Sequence, residues 1–131
     1  MISPLIKKLD TIYSQFIRLR DADNNGMVRC CTCGRIKHWK EVDCGHFIKR
    51  QHMATRFVES NTNGQCKHCN AFEQGANELY AEFIKKKYGE NELNRLYYLK
   101  NQSKKFSKWE LEELIKHYQA EVKKLLSLKT C

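Results

Sequence analysis

Eight residues near the middle of the chain have side chains able to act together chemically. Four are the cysteines of two Cys-x-x-Cys pairs, Cys30/Cys33 and Cys66/Cys69. Two more, Asp43 and His46, belong to the run Asp43-Cys44-Gly45-His46. The last two are asparagines: Asn61, and Asn70, which directly follows Cys69. Thiolates in two such pairs suit one tetrahedral zinc ion, each pair offering two sulfurs from a single tight turn. Gly34 relieves the backbone just after the first pair. Thirty-two residues separate Cys33 from Cys66, more than the roughly 15–20 of a simple zinc ribbon. Something is therefore inserted between the knuckles, and the insertion contains Asp43, His46 and Asn61.

These three, with Asn70, suit phosphodiester hydrolysis, which needs an activated water, positive charge at the phosphate and close positioning. His46 can be the base, because a neutral imidazole is available near pH 7. Gly45 is expected to leave room for the phosphate. Asn70 offers a carbonyl oxygen to a hard cation such as Mg2+ or Mn2+. Asp43 would be its second ligand or would orient His46. Asn61 would tie the long insertion back to the backbone near His46. Lys49, Arg50, Arg56 and Lys67 flank these positions as nucleic-acid contacts. Arg50 or Arg56 is assigned to the scissile phosphate, since a guanidinium can hold two of its oxygens. The plain alternative for each of these cations is solvated surface charge.

The bulk composition agrees with an anionic partner. The chain has 131 residues, 24 lysines and arginines against 15 acids, and a net charge of +9. That excess suggests nucleic acid, although it also serves solubility. Seven cysteines, four of them in paired knuckles, read as metal ligands in a reducing cytoplasm rather than as a disulfide framework. The three left over, Cys31, Cys44 and Cys131, read as free or packed thiols. No leader peptide is expected, since Lys7, Lys8 and Asp10 follow the start closely. No stretch approaches the roughly 20 apolar residues of a membrane span.

The elements that must hold the site can be outlined. Ser3-Pro4 starts a helix over 4 to about 20, with Leu5, Leu9, Ile12, Tyr13, Phe16 and Leu19 on one face. Residues 21–26 form a turn that lacks the later acids of a calcium loop. Val28–Cys31 and Ile36–Trp39 read as short strands, Val42–Lys49 as an extended piece, and 51–64 as an irregular loop. Leu79, Tyr80, Phe83, Ile84 and Tyr88 form a helix face that Gly89 closes. Leu93, Leu96, Tyr97 and Leu99 mark a shorter helix. Ser107 and Glu110 form a capping box ahead of a stripe of Leu111, Leu114, Ile115, Tyr118, Val122, Leu125 and Leu126. The fold class is α+β. It divides into an N-terminal helix and turn (1–27), a cysteine-containing core (28–90) and a helical extension packed on that core (91–131).

The pattern resembles the His-Asn-His, or ββα-metal (treble-clef), endonucleases, whose hairpin and helix are braced by a four-cysteine zinc. His46, Asn61 and Asn70 match the places of the general base, the middle asparagine and the last metal-binding position. Asn in that last place resembles the junction-cleaving phage endonuclease VII type, and Asp-x-Gly-His is similar to a phrase of the nonspecific DNA/RNA endonucleases. A narrower resemblance covers about residues 28–90. Cys-x-Thr-Cys-Gly, Cys-Gly-His-Phe-Ile-x-Arg, Arg56-Phe57, Asn61 and Gly64-Gln65-Cys-x-x-Cys-Asn resemble the NinG/Rap recombination endonucleases of lambdoid phages. This implies a metal-dependent endonuclease acting on Holliday junctions and D-loops, in the cytoplasm of a bacterial host. Many members of the wider superfamily carry Asp directly before the base, where this chain has Gly45, so Asp43 is the candidate for the second cation ligand.

Two functions follow from the residues. The first is a zinc-containing DNA endonuclease with His46 as base and Asn70 on a divalent cation. The second is a zinc finger that binds DNA or a protein without cutting, which would have no need of Asp43, His46 and Asn70 together. A zinc deaminase would need His-x-Glu and Pro-Cys-x-x-Cys, and neither occurs. Symmetric cutting of a four-way junction would favour a homodimer, and any of the helical stripes could supply its interface.

Overall fold

The computed structural model describes residues 3–72 and 76–129. Cys131 lies outside them. Helix α1 (Pro4–Arg20) begins where Ser3 accepts the Ile6 N–H. It is followed by an antiparallel pair, β1 (Met27–Arg29) with β2 (Ile36–His38), and by a 3-10 turn at Trp39–Glu41. A second antiparallel pair consists of β3 (Val42–His46) and β4 (Thr62–Cys66). Between its strands lie the short helix α2 (Met53–Arg56) and a 3-10 turn at Glu59–Asn61. A π-helical turn (His68–Phe72) then leads to α3 (Asn77–Tyr88), α4 (Glu90–Lys100) and α5 (Lys108–Leu128). Gly89, at φ +94°, ends α3 and caps α4, so the two helices meet at one residue. Among the described residues no helix is long and apolar enough to cross a membrane.

The apolar stripes read from the sequence bury two cores. Leu9, Tyr13, Phe16 and Ile17 of α1 pack on Leu111, Ile115, Tyr118 and Val122 of α5, with Val28, Trp39 and Val42 beneath. Edge-on contacts of Tyr13 with Phe57 and Tyr118 add directional packing. Phe47 and Ile48, just after β3, pack with Tyr80, Ile84 and Leu96 of α3 and α4. The Ser107 capping box forms as expected. Lys129 ties the end of α5 to the carbonyls of Leu19 and Ala22 at the end of α1.

Three expectations need correction. Residues 51–64 are not an irregular loop throughout, because α2 forms within them and β4 starts at Thr62. The strand escapes notice because Thr62, Asn63, Gly64 and Gln65 are polar or small, yet all are buried. Buried polar groups persist only when hydrogen-bonded, and here the partners come from distant helices. Tyr13 Oη bonds Thr62 Oγ1 at 2.7 Å. Asn63 Oδ1 accepts from Arg20 and Tyr88, and Asp21 Oδ2 accepts the Gly64 N–H at 2.7 Å. Secondly, Leu79, Tyr97 and Leu126 are exposed despite falling on the expected apolar stripes. Thirdly, Gly45 leaves no space for a ligand. A Cβ there would meet Gln65 Oε1 at 2.2 Å and Gln65 Cβ at 2.8 Å, so glycine is required for the two strands to close on that side chain.

Asp21 is the junction of this polar layer, since it also pairs with Arg20 at 2.8 Å. Replacing Asp21 by Ala leaves the Gly64 amide and the Arg20 guanidinium without that partner. A loss of about 3 kcal/mol in unfolding free energy is expected, measured by denaturant melts of zinc-loaded protein. A loss below about 1 kcal/mol would show that the layer is not held through Asp21.

Candidate metal and nucleic-acid site

The two knuckles meet. The sulfurs of Cys30, Cys33, Cys66 and Cys69 all lie within 4.8 Å of one another, and Cys33 and Cys66 stand 3.7 Å apart. Tetrahedral zinc with bonds of about 2.3 Å places its sulfurs about 3.8 Å apart, so the cluster fits that ion. Gly34, at φ +79°, donates its N–H to the Cys30 carbonyl, and Cys69 N–H points to the Cys66 sulfur. The first knuckle hangs from the β1–β2 pair and the second from the end of β4. Holding the four sulfurs together therefore joins both sheets.

His46 is the last residue of β3 and lines a cleft of about 1130 Å³. Its Nε2 lies 3.0 Å from the carbonyl oxygen of Arg56. A carbonyl can only accept, so Nε2 carries the hydrogen and Nδ1 keeps its lone pair. Burial, with a smaller contribution from nearby Arg50, pushes the His46 pKa down to about 4, against the opposing effect of the Arg56 carbonyl. The ring is thus a neutral base with a defined tautomer at ordinary pH.

Asn61 explains why the Arg56 carbonyl sits where it does. It is fully buried and does not line the cleft. Its Oδ1 accepts the Ile48 N–H at 2.8 Å, and its Nδ2 donates to the carbonyls of Ile48 and Thr55 at 3.0 and 3.1 Å. One side chain thereby clamps both ends of the segment that runs from His46 to Arg56. Asn61 thus ties the segment after β3 to the backbone near His46.

Asp43 and Asn70 come together at 2.9 Å, Asn70 Nδ2 donating to Asp43 Oδ2. That bond leaves the amide oxygen as Asn70's remaining donor atom for a cation. Lys67 Nζ holds the other Asp43 oxygen at 2.6 Å. Both Asp43 and Asn70 line the cleft with His46, and two oxygen donors side by side are chemically suited to a hard cation.

The basic residues divide by their partners. Arg56 is buried and gives Nε and Nη2 to Asp10 of α1 and Nη1 to the Arg50 carbonyl. Its donors are committed to holding α1 against the segment beside His46. Arg50 is exposed on the cleft wall, and among the described residues its guanidinium has no carboxylate partner. Lys49 and Lys67 line the same cleft. The sequence reading missed the part played by α1, which contributes Lys7, Asp10, Ser14 and Arg18 to the wall. The helix was visible in the sequence, but no local pattern links Asp10 to an arginine 46 residues away.

Two spare cysteines take no part in the cluster. Burial pushes the Cys44 thiol up to about 12, and burial likewise raises Cys31 far above its usual value. Both are protonated at neutral pH, packed against the first and second cores respectively, and unsuited to nucleophilic attack.

The family model described as Bacteriophage Lambda NinG protein matches residues 2–127. Searches of curated proteins and of solved structures returned no match.

The depressed His46 value sets a pH window. Unfolded His46 takes a proton near pH 6.5 and folded His46 only near 4, so its contribution to stability is complete above 6.5 and is lost as pH falls towards 4. In ring-nitrogen NMR spectra, His46 is expected to keep the neutral, Nε2-protonated signature from pH 8 down to about 5. A titration midpoint at or above pH 6 would contradict the placement of the ring.

Proposed function

The chain belongs to the bacteriophage lambda NinG protein family, and we propose that it is a metal-dependent DNA endonuclease acting on branched recombination intermediates such as Holliday junctions and D-loops. The observation that carries this reading is one cleft containing a tautomer-defined histidine, a paired carboxylate and amide, and a basic wall. A binding module has no use for the first two.

In the proposed reaction His46 Nδ1 takes a proton from a water molecule. The water oxygen bonds to phosphorus as the P–O3′ bond opposite it breaks. The products are a 5′-phosphate and, once the departing oxygen gains a proton from solvent, a 3′-hydroxyl. Asp43 and Asn70 would hold a divalent cation, Mg2+ or Mn2+, which when bound supplies positive charge to the phosphate. Arg50 holds non-bridging oxygens and offsets their developing charge. Lys67, which holds Asp43 through one ion pair, would be freed for the phosphate if a cation took that carboxylate. Arg56 acts through Asp10, the Arg50 carbonyl and its own carbonyl, so its part is positioning. The cysteine cluster is structural in this scheme.

The reading is tested by incubating zinc-loaded protein with a synthetic four-way junction and with a linear duplex of the same arms, with and without Mg2+. Mg2+-dependent cutting of the junction in preference to the duplex is expected. Equal cutting of both would keep the nuclease and remove the junction preference. Binding without cutting, with Mg2+ and then Mn2+ supplied, would show a zinc-containing binding module instead.

A further inference from the structure

A second groove, of about 420 Å³, lies beside the cysteine cluster. Its walls carry Arg35, Lys37, Lys40, Lys67 and His68, with Glu41 as the one acid lining it. Arg35 follows the first knuckle, Lys37 is central in β2, and Lys67 and His68 belong to the second knuckle. Among the described residues neither Arg35 nor Lys37 forms an ion pair, so these charges are not offset within the fold. Lys40 and Lys67 line the cleft of His46 as well as this groove. The two concavities therefore adjoin across a shared basic ridge.

Arg35 and Lys37, two charges without acidic partners on one groove, repel one another, and that repulsion is relieved by a polyanion laid along them. A duplex carries one charge per about 1.7 Å of its axis, so a strand engaged in the cleft must continue past its walls. On the side towards the cysteine cluster, a second groove shares basic residues with the cleft. We propose that this groove receives the sugar-phosphate backbone of the DNA leaving the cleft, with Arg35 and Lys37 as phosphate contacts and Lys40 and Lys67 bridging the two sites. The inference rests on reading the cleft as a nucleic-acid site. It gives the cysteine cluster a further role, since the cluster shapes one wall of the track.

The test is fluorescence anisotropy of a labelled four-way junction with the full-length, zinc-loaded protein, in Ca2+ in place of Mg2+ and over a range of salt. The variants are Arg35→Glu/Lys37→Glu and, as a control of equal charge change, Lys123→Glu/Lys124→Glu on α5, which line neither groove. Zinc content by metal analysis confirms that each variant keeps its cluster. The groove variant is expected to bind at least tenfold more weakly. Its log K against log salt slope should flatten by about 1.8, the value for two lost phosphate contacts at about 0.9 each. The control should change binding less than twofold. At saturating protein the cleavage rate in Mg2+ should stay within about threefold of the parent, because neither substituted residue touches the cleft. Parent-like binding by the groove variant, or equal loss in both variants, would overturn the track while leaving the nuclease reading standing. A groove effect on binding by a protein that never cuts would support the track and remove the nuclease. Failure of the parent to bind DNA at all would remove both.

Discussion

The hydrogen bond from His46 Nε2 to the Arg56 carbonyl decides which ring nitrogen can accept a proton, and much of the fold bears on the placement of that one oxygen. Asn61 fixes the backbone on either side of the intervening segment, through Ile48 and Thr55. Asp10 fixes the Arg56 side chain from α1. Helix α1 is in turn held by α5 through the larger core and by the polar layer of Arg20 and Asp21 under β4. Strand β4 ends at Cys66, one of the four sulfurs that can hold zinc. The histidine is thus defined by contacts reaching back to both termini of the described fold. This is the rigid support that a reacting group needs if it is to be held to within fractions of an ångström.

Charge in the cleft is arranged by the same contacts. Two acids enter a strongly basic wall, and each has a partner: Asp10 with Arg56 and Asp43 with Lys67. The first pair is buried on the arginine side, has bidentate geometry, and acts as a fixture. The second is exposed at Lys67 and held by a single ion pair, so it can exchange its ammonium for another cation at little cost. Arg50 stands apart from both pairs. In the proposed reaction this division supplies one immobile arginine that positions the base, one arginine for phosphate, and one carboxylate for a divalent cation.

Much of this was legible in the sequence, for physical reasons that can be named. The cysteine spacing identified the cluster because metal ligation fixes ligand number and separation. The caps at Ser3 and Ser107, and the apolar periodicity of α1 and α5, are local patterns that need no tertiary knowledge. Strand β4 was hidden because its buried polar groups are met by hydrogen bonds from residues 25 to 49 positions away, and no alternation of apolar residues marks it. The roles of Arg50 and Arg56 could not be separated from sequence for the same reason. Both are basic residues close behind His46, and only tertiary contacts, burial and the Asp10 pair of Arg56, distinguish them. Gly45 was expected to make room for a ligand, whereas its neighbour is Gln65 of the facing strand.

In the proposed reaction the neutral Nδ1 of His46 takes the proton from the attacking water. The most direct measurement is the single-turnover cleavage rate of a four-way junction by His46→Ala, with and without added imidazole, beside binding of the same junction. A fall of about 10²–10⁴-fold in rate is expected, the usual contribution of a positioned general base. Zinc content and junction affinity should be unchanged, and imidazole should restore part of the rate. Cleavage at the parent rate by a variant that retains zinc and binds the junction would contradict that role of His46.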